Sequence, residues 1–361
     1  MTLTRGDLLA LITLGGLLVI ALVLGLVLGL KIKNDKEVGV MNSYGNTKEL
    51  IKKFPVRNAT YVNENNIEGR IQNRLLTGFE NWNRGFKVWK AWGDILYTPD
   101  SIYNVHGARL NLAHYQAAMD ASLQQADIQM GAFHNMLIVD NFCAIHYDFV
   151  TGGRTSKVME FVKFKEHGND ENPNTRVEEG WGSTKDNSYY GLISYQGNAE
   201  KEEQEGLNYY LLNYQIPNVN DNNLKLKYPV VYPNDYSDNE SYSKINEIIL
   251  EGFESWNQNY SEYEKWVDKY YEEGSFSSSL KEVERNISEY KREIETLFEN
   301  EKITKLYFDN ILIRDDWAAI HYRYRRENKS NRRVYVGDRM EFFKFNKKAD
   351  ANFTIVANWI Q

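Results

Sequence analysis

The side chains in this sequence best suited to moving a proton are Asp100, His106 and His146. A carboxylate or imidazole works as a general acid or base near neutral pH when its surroundings shift its pKa. It also needs a hydrogen-bond donor beside it for any oxyanion that develops. Tyr97 and Tyr103 supply such donors on either side of Asp100, and His106 follows shortly, next to Gly107. In the strand-like run around Ala144-Ile145-His146-Tyr147-Asp148, alternation puts His146 and Asp148 on one face with Ala144, while Cys143, Ile145, Tyr147 and Phe149 take the other. Tyr97, Tyr103, Trp92, Asp148 and Trp181 are the candidate ligand-binding residues. Each proton-transfer candidate also has a structural use. Asp100 follows Pro99 in what reads as a turn, where aspartate bonds to backbone, and His146 suits a hydrogen bond within a sheet or at an interface. No phosphate-binding glycine loop, H-E-x-x-H zinc helix or G-x-S-x-G elbow occurs. The single cysteine, Cys143, sits in an apolar run as a small hydrophobe and excludes a cysteine-based metal site. No metal and no cofactor is expected.

The elements that must position these residues occur twice. Gly78-Phe79-Glu80-Asn81-Trp82-Asn83 recurs as Gly252-Phe253-Glu254-Ser255-Trp256-Asn257, displaced by 174 residues, and Ala144-Ile145-His146-Tyr147 recurs as Ala319-Ile320-His321-Tyr322, displaced by 175. Met159-Glu160-Phe161 returns as Met340-Glu341-Phe342 at 181, the added length falling between strand-like runs where a hairpin tolerates it. A period this long is a whole-domain repeat. In the first copy, Ile71, Leu75, Phe79, Trp82, Phe86 and Trp89 mark one amphipathic helix from Ile71 to Trp92. A short extended run at Ile95-Leu96-Tyr97 is closed by a turn at Thr98-Pro99-Asp100, and a second helix follows from Asn111 to Gln125. Strands are expected at Gly131–Val150, Ser156–Phe164 and Arg176–Trp181. The second copy repeats the plan, with helices over Ile245–Tyr271 and Leu280–Leu297 and strands over Lys305–Arg325, Val334–Phe345 and Phe353–Trp359. It lacks a counterpart of Asp100 and His106, so any proton chemistry belongs to the first copy.

Leu8 to Leu30 is an uncharged apolar run long enough to span a hydrocarbon layer as a helix, and it passes directly into Lys31-Ile32-Lys33 without a cleavage signal. The expectation is a single-pass membrane anchor. Lysines beyond the span lean towards an inside location for the large part, but long domains translocate largely regardless of charge, and the extracytoplasmic side is favoured. Residues 31–66 read as a stalk with little structure of its own, and 187–243 as a connector with some. The chain carries a formal net charge of −7, which argues against a nucleic-acid partner.

The order of helix, strand and helix ahead of a sheet carrying "DNFCAIHYDF", "KVMEFVKF" and "RVEEGW" resembles the SnoaL-like branch of the NTF2-like superfamily. The same signature reappears as "DDWAAIHYRY", "DRMEFFKF" and "TIVANW". The resemblance covers 67–186 and 244–361. It implies an α+β fold of two cones, each a curved and mostly antiparallel sheet around helices with an apolar pocket at one end, near Asp100 and His106. Members commonly pair through their sheets, so the two copies could form an intrachain pseudo-dimer. The family includes cyclases and isomerases alongside proteins that bind without turnover. Three functions stay open: a membrane-anchored binder of a small apolar ligand or partner protein without catalysis, a cyclase- or isomerase-type enzyme working from the first copy, and a VirB8-like subunit of a cell-envelope or conjugation assembly, which the layout of one anchor and NTF2-like domains also fits.

Overall fold

Strand pairing divides the folded part of the chain into two mixed sheets. The computed structural model describes residues 46–59, 66–105, 108–125, 128–169, 172–184, 223–232, 240–278, 284–332, 334–349 and 352–360. The expected membrane span at 8–30, His106 and most of the connector lie outside them. Among the described residues no helix is long and apolar enough to cross a membrane.

The first sheet is built from β1 (Val56–Ala59), β2 (Tyr97–Val105), β3 (Ala108–Asn111), β4 (Ile128–Val139), β5 (Phe142–Thr151), β6 (Arg154–Asn169) and β7 (Asn172–Thr184), in the order β1-β4-β5-β6-β7-β2-β3. Its helices are α1 (Thr47–Lys53), α2 (Ile67–Asn83), α3 (Phe86–Leu96) and α4 (Leu112–Gln125). The second sheet, ordered β10-β11-β12-β13-β8-β9, comprises β8 (Tyr271–Ser278), β9 (Glu284–Asn286), β10 (Glu301–Arg314), β11 (Trp317–Asn328), β12 (Val334–Lys347) and β13 (Phe353–Ile360). With it go α5 (Leu224–Lys227), α6 (Glu240–Gln258), α7 (Tyr260–Tyr270) and α8 (Ile287–Asn300). The result is an α+β pair of domains.

Several local expectations need correction. The helix expected over Ile71–Trp92 is two helices, because Gly85 breaks it at φ 106°, a conformation that side chains with a Cβ rarely adopt. In the second copy Asn259 stands at the same place and breaks the chain differently, extended and with its side chain accepting from Glu262 N to start α7. Thr98-Pro99-Asp100 is not a closing turn. It is an irregularity inside β2, where pairing jumps from Tyr97–Val177 to Ile102–Glu179 and Ser101 Oγ bonds Thr98 N at 2.8 Å and the Val177 carbonyl at 2.5 Å. Helix α8 starts at Ile287, where Asn286 and Glu289 form a capping box. Part of the expected stalk is folded: α1 leads to Phe54-Pro55 and β1, which pairs with β4. Its counterpart in the connector is α5 followed by Tyr228-Pro229, again displaced by 174 residues. Phe54 packs edge-on to Phe79 and Tyr228 edge-on to Phe253, and Lys53–Glu80 has its twin in Lys227–Glu254.

The helices cover one face of each sheet, and the opposite faces pack against each other. Leu137, Val139, Phe142, Ala144, Met159, Phe161 and Trp181 of the first sheet share one apolar core with Leu312, Trp317, Ala319, Met340 and Phe342 of the second. Arg314 ties the domains at the rim, reaching Glu68 at 2.6 Å and the Ile138 carbonyl at 2.9 Å.

Candidate functional site

Under α2 and α3, the inner face of the first sheet and the helices enclose a cavity of about 70 Å³. A single water needs roughly 10–15 Å³, so this space admits a small molecule. The corresponding cavity of the second domain is about 10 Å³.

The frame around the two cavities is the same. Trp82 Nε1 donates to the Ile128 carbonyl at 2.9 Å, and Trp256 Nε1 to the Ile303 carbonyl at 3.1 Å. Asn83 brackets Met130 through both of its backbone groups at 2.9 and 2.7 Å, and Asn257 brackets Lys305 at 2.8 and 2.8 Å. These bonds clamp the incoming end of a long strand to the end of the first helix. The inner strand face then delivers a tyrosine and a carboxylate: Tyr147 OH donates to Glu160 at 3.0 Å, and Tyr322 OH to Glu341 at 2.5 Å. Both carboxylates share their linings with aromatic rings and one guanidinium. Burial, with the charge of Glu160 beside it, pushes the Tyr97 phenol well up, and the same two causes raise the Cys143 thiol.

What differs is the filling. In the second domain Lys305 enters the cavity and Arg339 stands with Glu341 in its lining. Burial pushes the Lys305 ammonium down to about 8 against the opposing pull of Glu341. The first domain has Met130 and Val158 at those two positions, and its guanidinium comes from α2, where Arg74 donates to Asn174 at 3.0 Å. A second exchange is reciprocal in size. The Tyr103 ring lies directly on Gly180, where any side chain would collide with it, whereas the second domain places Ser277 opposite Asn358. Asn358 then donates to Glu341 at 3.3 Å. Tyr103 instead stacks on Tyr115 at 4.2 Å and walls the open cavity.

Trp92, Tyr97 and Tyr103 line the cavity. Asp100 and His146 do not. Asp100 is exposed on β2, and a hydrogen bond from Thr98 holds its carboxyl below the usual range, opposite to the shift a base would need. His146 faces the other sheet, with its ring 6.4 Å from that of Phe342. Asn135 bonds its Nδ1 at 3.1 Å, and burial beside His134 and Lys157 pushes the imidazole well down. Asp148 pairs with His134 at 2.6 Å, and Trp181 sits in the inter-sheet core against Tyr232. The three proton-transfer candidates are therefore not gathered at the cavity: Asp100 and His146 lie elsewhere and His106 falls outside the described residues.

His321, the twin of His146, packs on Phe161 and bonds Asp338 at 2.9 Å within a buried group that includes Asp309 and Arg323. The cross-strand pair His134–Asp148 has become Asp309–Arg323, with the acid and the base exchanged between strands. The recurring histidines belong to the inter-sheet face. The recurring polar residues of the cavity are Tyr147 and Glu160, which sequence reading passed over although both stand inside the repeated motifs. Among the described residues no cluster of His, Cys, Asp and Glu could hold a metal ion.

Compared with known proteins, the sequence matches no protein-family model and no curated protein. Solved structures with similar chain traces include a ketosteroid isomerase-like protein from Erwinia carotovora atroseptica, 14% identical, TM-score 0.29, covering 34% of this chain and 96% of that one. ActVI-ORFA from Streptomyces coelicolor is 9% identical with a TM-score of 0.28, covering 35% of this chain and 96% of its own. A protein with a cystatin-like fold from Caulobacter vibrioides is 9% identical, TM-score 0.28, covering 34% and 89% respectively.

Proposed function

We propose that this chain is a tandem SnoaL-like binding protein, held to a membrane by residues 8–30 with its folded part on the extracytoplasmic side. Its first domain takes up a small ligand without turnover. The second domain is a closed twin that buries the outer face of the first sheet. The observation that carries this reading is the difference between the cavities, about 70 Å³ against about 10 Å³ inside one repeated frame. The rings of Trp82, Trp89, Trp92 and Tyr103 supply the apolar wall that small-molecule sites use, and Tyr147 with Glu160 the few polar groups that orient a guest. The absence of Asp100 and His146 from the lining favours binding over the cyclase or isomerase alternative.

Xenon pressurisation of crystals tests the site, since xenon enters small apolar cavities. An atom in the first cavity and none in the second is expected; both empty, or both equally filled, would refute the reading. The anchor is tested separately. Deleting residues 8–30 should move the chain from carbonate-washed membranes to the soluble fraction, and an unchanged distribution would remove the anchor from the proposal.

A further inference from the structure

The second domain holds, as part of its own chain, a cation inside the ring cage whose counterpart lines the larger cavity of the first. Lys305 Nζ lies 4.5 Å from the ring centre of Phe253, 4.7 Å from Trp256 and 5.0 Å from Tyr322. All three are within the distance at which a ring face attracts a cation. The first domain keeps each ring, as Phe79, Trp82 and Tyr147, and keeps their arrangement. Phe79 stacks on Phe133 at 4.3 Å where Phe253 stacks on Phe308 at 4.1 Å. Phe79 to Tyr147 is 4.7 Å where Phe253 to Tyr322 is 4.8 Å. The tyrosine hydroxyl is turned to a glutamate in both.

The backbone that carries Lys305 is reproduced as well, because Asn83 brackets Met130 as Asn257 brackets Lys305. The first domain thus has the cage, the carboxylate and the correctly placed strand, and lacks only the ammonium. The charge inventory agrees. Each cavity contains one glutamate bonded to its tyrosine and one guanidinium, Arg74 in the first and Arg339 in the second, and the second adds Lys305. Glu293, which also lines the second cavity, is taken by Arg285 at 2.6 Å. A monocation entering the first cavity would bring it to the charge that the second already holds. A neutral or anionic guest would leave the cage of ring faces without the cation that the second domain places there.

We propose that the first cavity binds a small organic monocation, a primary alkylammonium whose head sits among Phe79, Trp82 and Tyr147 near Glu160, as Lys305 Nζ does in the second domain. The inference rests on the first cavity being the ligand site. In that arrangement the second domain is a permanently self-occupied copy of the same receptor.

The free equivalent of a lysine side chain is n-butylammonium, and 1-butanol is its uncharged counterpart of similar size. Titration of the full-length chain at pH 7, followed by calorimetry, should show one site that takes n-butylammonium at least tenfold more tightly than 1-butanol. Met130→Lys should place an ammonium in the first cage and weaken n-butylammonium at least tenfold. Lys305→Met should open the second cage and raise the stoichiometry from one towards two. Should either of these variants not fold, judged by its circular dichroism, Glu160→Gln serves instead and should weaken n-butylammonium tenfold while leaving 1-butanol unchanged. Binding of 1-butanol as tight as that of the amine would overturn the cation inference and spare the ligand site. So would xenon occupancy with neither probe bound. An empty cavity towards xenon and both probes would take down the ligand site itself.

Discussion

Two glycines in equivalent helical positions should respond very differently to the same added methyl group. Gly78 of α2 lies against Trp92, and Gly252 of α6 against Trp266. A Cβ at Gly252 would stand 2.6 Å from Cζ2 and 2.7 Å from Cε2 of Trp266, so the indole must retreat by roughly 0.8 Å to reach ordinary 3.4 Å contact. It has nowhere to go, since Trp266 Nε1 is committed to the Ile248 carbonyl at 3.0 Å and the ring packs against Tyr263, Tyr270 and Tyr271. Overpacking of this kind costs about 1–3 kcal/mol, and straining a buried hydrogen bond about 1 more. Alanine returns about 1 kcal/mol of helix propensity. Gly252→Ala should therefore destabilise the protein by about 1–3 kcal/mol.

At Gly78 the Cβ would meet Cη2 of Trp92 at 2.7 Å, the far tip of the ring. Trp92 Nε1 has no hydrogen bond to lose, and the ring borders a cavity of about 70 Å³ into which it can move. Overpacking near the lower limit and the propensity gain then nearly cancel, leaving Gly78→Ala within about 0.5 kcal/mol of wild type. Its cavity should shrink, with loss of xenon occupancy. Urea unfolding at pH 7 reads both substitutions as shifts in midpoint at constant slope. Equal costs at the two positions, or a larger cost at Gly78, would refute the idea that the cavity acts as slack for Trp92 and would put the asymmetry between the domains in doubt.

The inter-sheet face makes two further predictions. The His146 imidazole is held well below its ordinary value, so the unfolded chain binds the proton first and stability falls as pH drops below about 6.5, by up to about 1.4 kcal/mol per pH unit. His146→Gln should flatten that part of a pH-stability profile measured from pH 7 to 5, and an unchanged slope would show that another group causes it. Arg323 lies 2.6 Å from Asp309 and 3.5 Å from Asp338, all three side chains being nearly inaccessible. Arg323→Ala takes the guanidinium from those carboxylates, leaving Asp338 its bond to His321, and should cost about 3–5 kcal/mol in denaturant unfolding, whereas a loss below 1 kcal/mol would mean that water reaches them.

Much of the fold could be read in advance because a duplication shows itself in residue order. The paired motifs, the alternation of β5 and the helical stripes each follow from local spacing. The breaks were less visible. Gly85 and Asn259 end their helices by unrelated means, and the apolar stripe runs on through both, because periodicity records which side is buried and not whether the axis continues. The folded segment at 47–56 carries its signal in Leu50-Ile51-Lys52-Lys53-Phe54-Pro55-Val56 against Leu224-Lys225-Leu226-Lys227-Tyr228-Pro229-Val230, which polar neighbours obscured.

The sequence by itself determined that two copies of one scaffold stand in this chain and that His146 and Tyr147 point to opposite faces of one strand. It did not determine which face looks inward. A period of two is indifferent to the direction of the cavity, and here both faces are buried, one under helices and one under the other sheet, so hydrophobicity could not choose between them. Tertiary packing decided that the histidines face the second sheet and that the tyrosines and glutamates face the cavities. It also decided the meaning of Met130 and Lys305, a single difference in the repeat whose consequence depends on the rings of α2, α6 and two distant strands meeting around it.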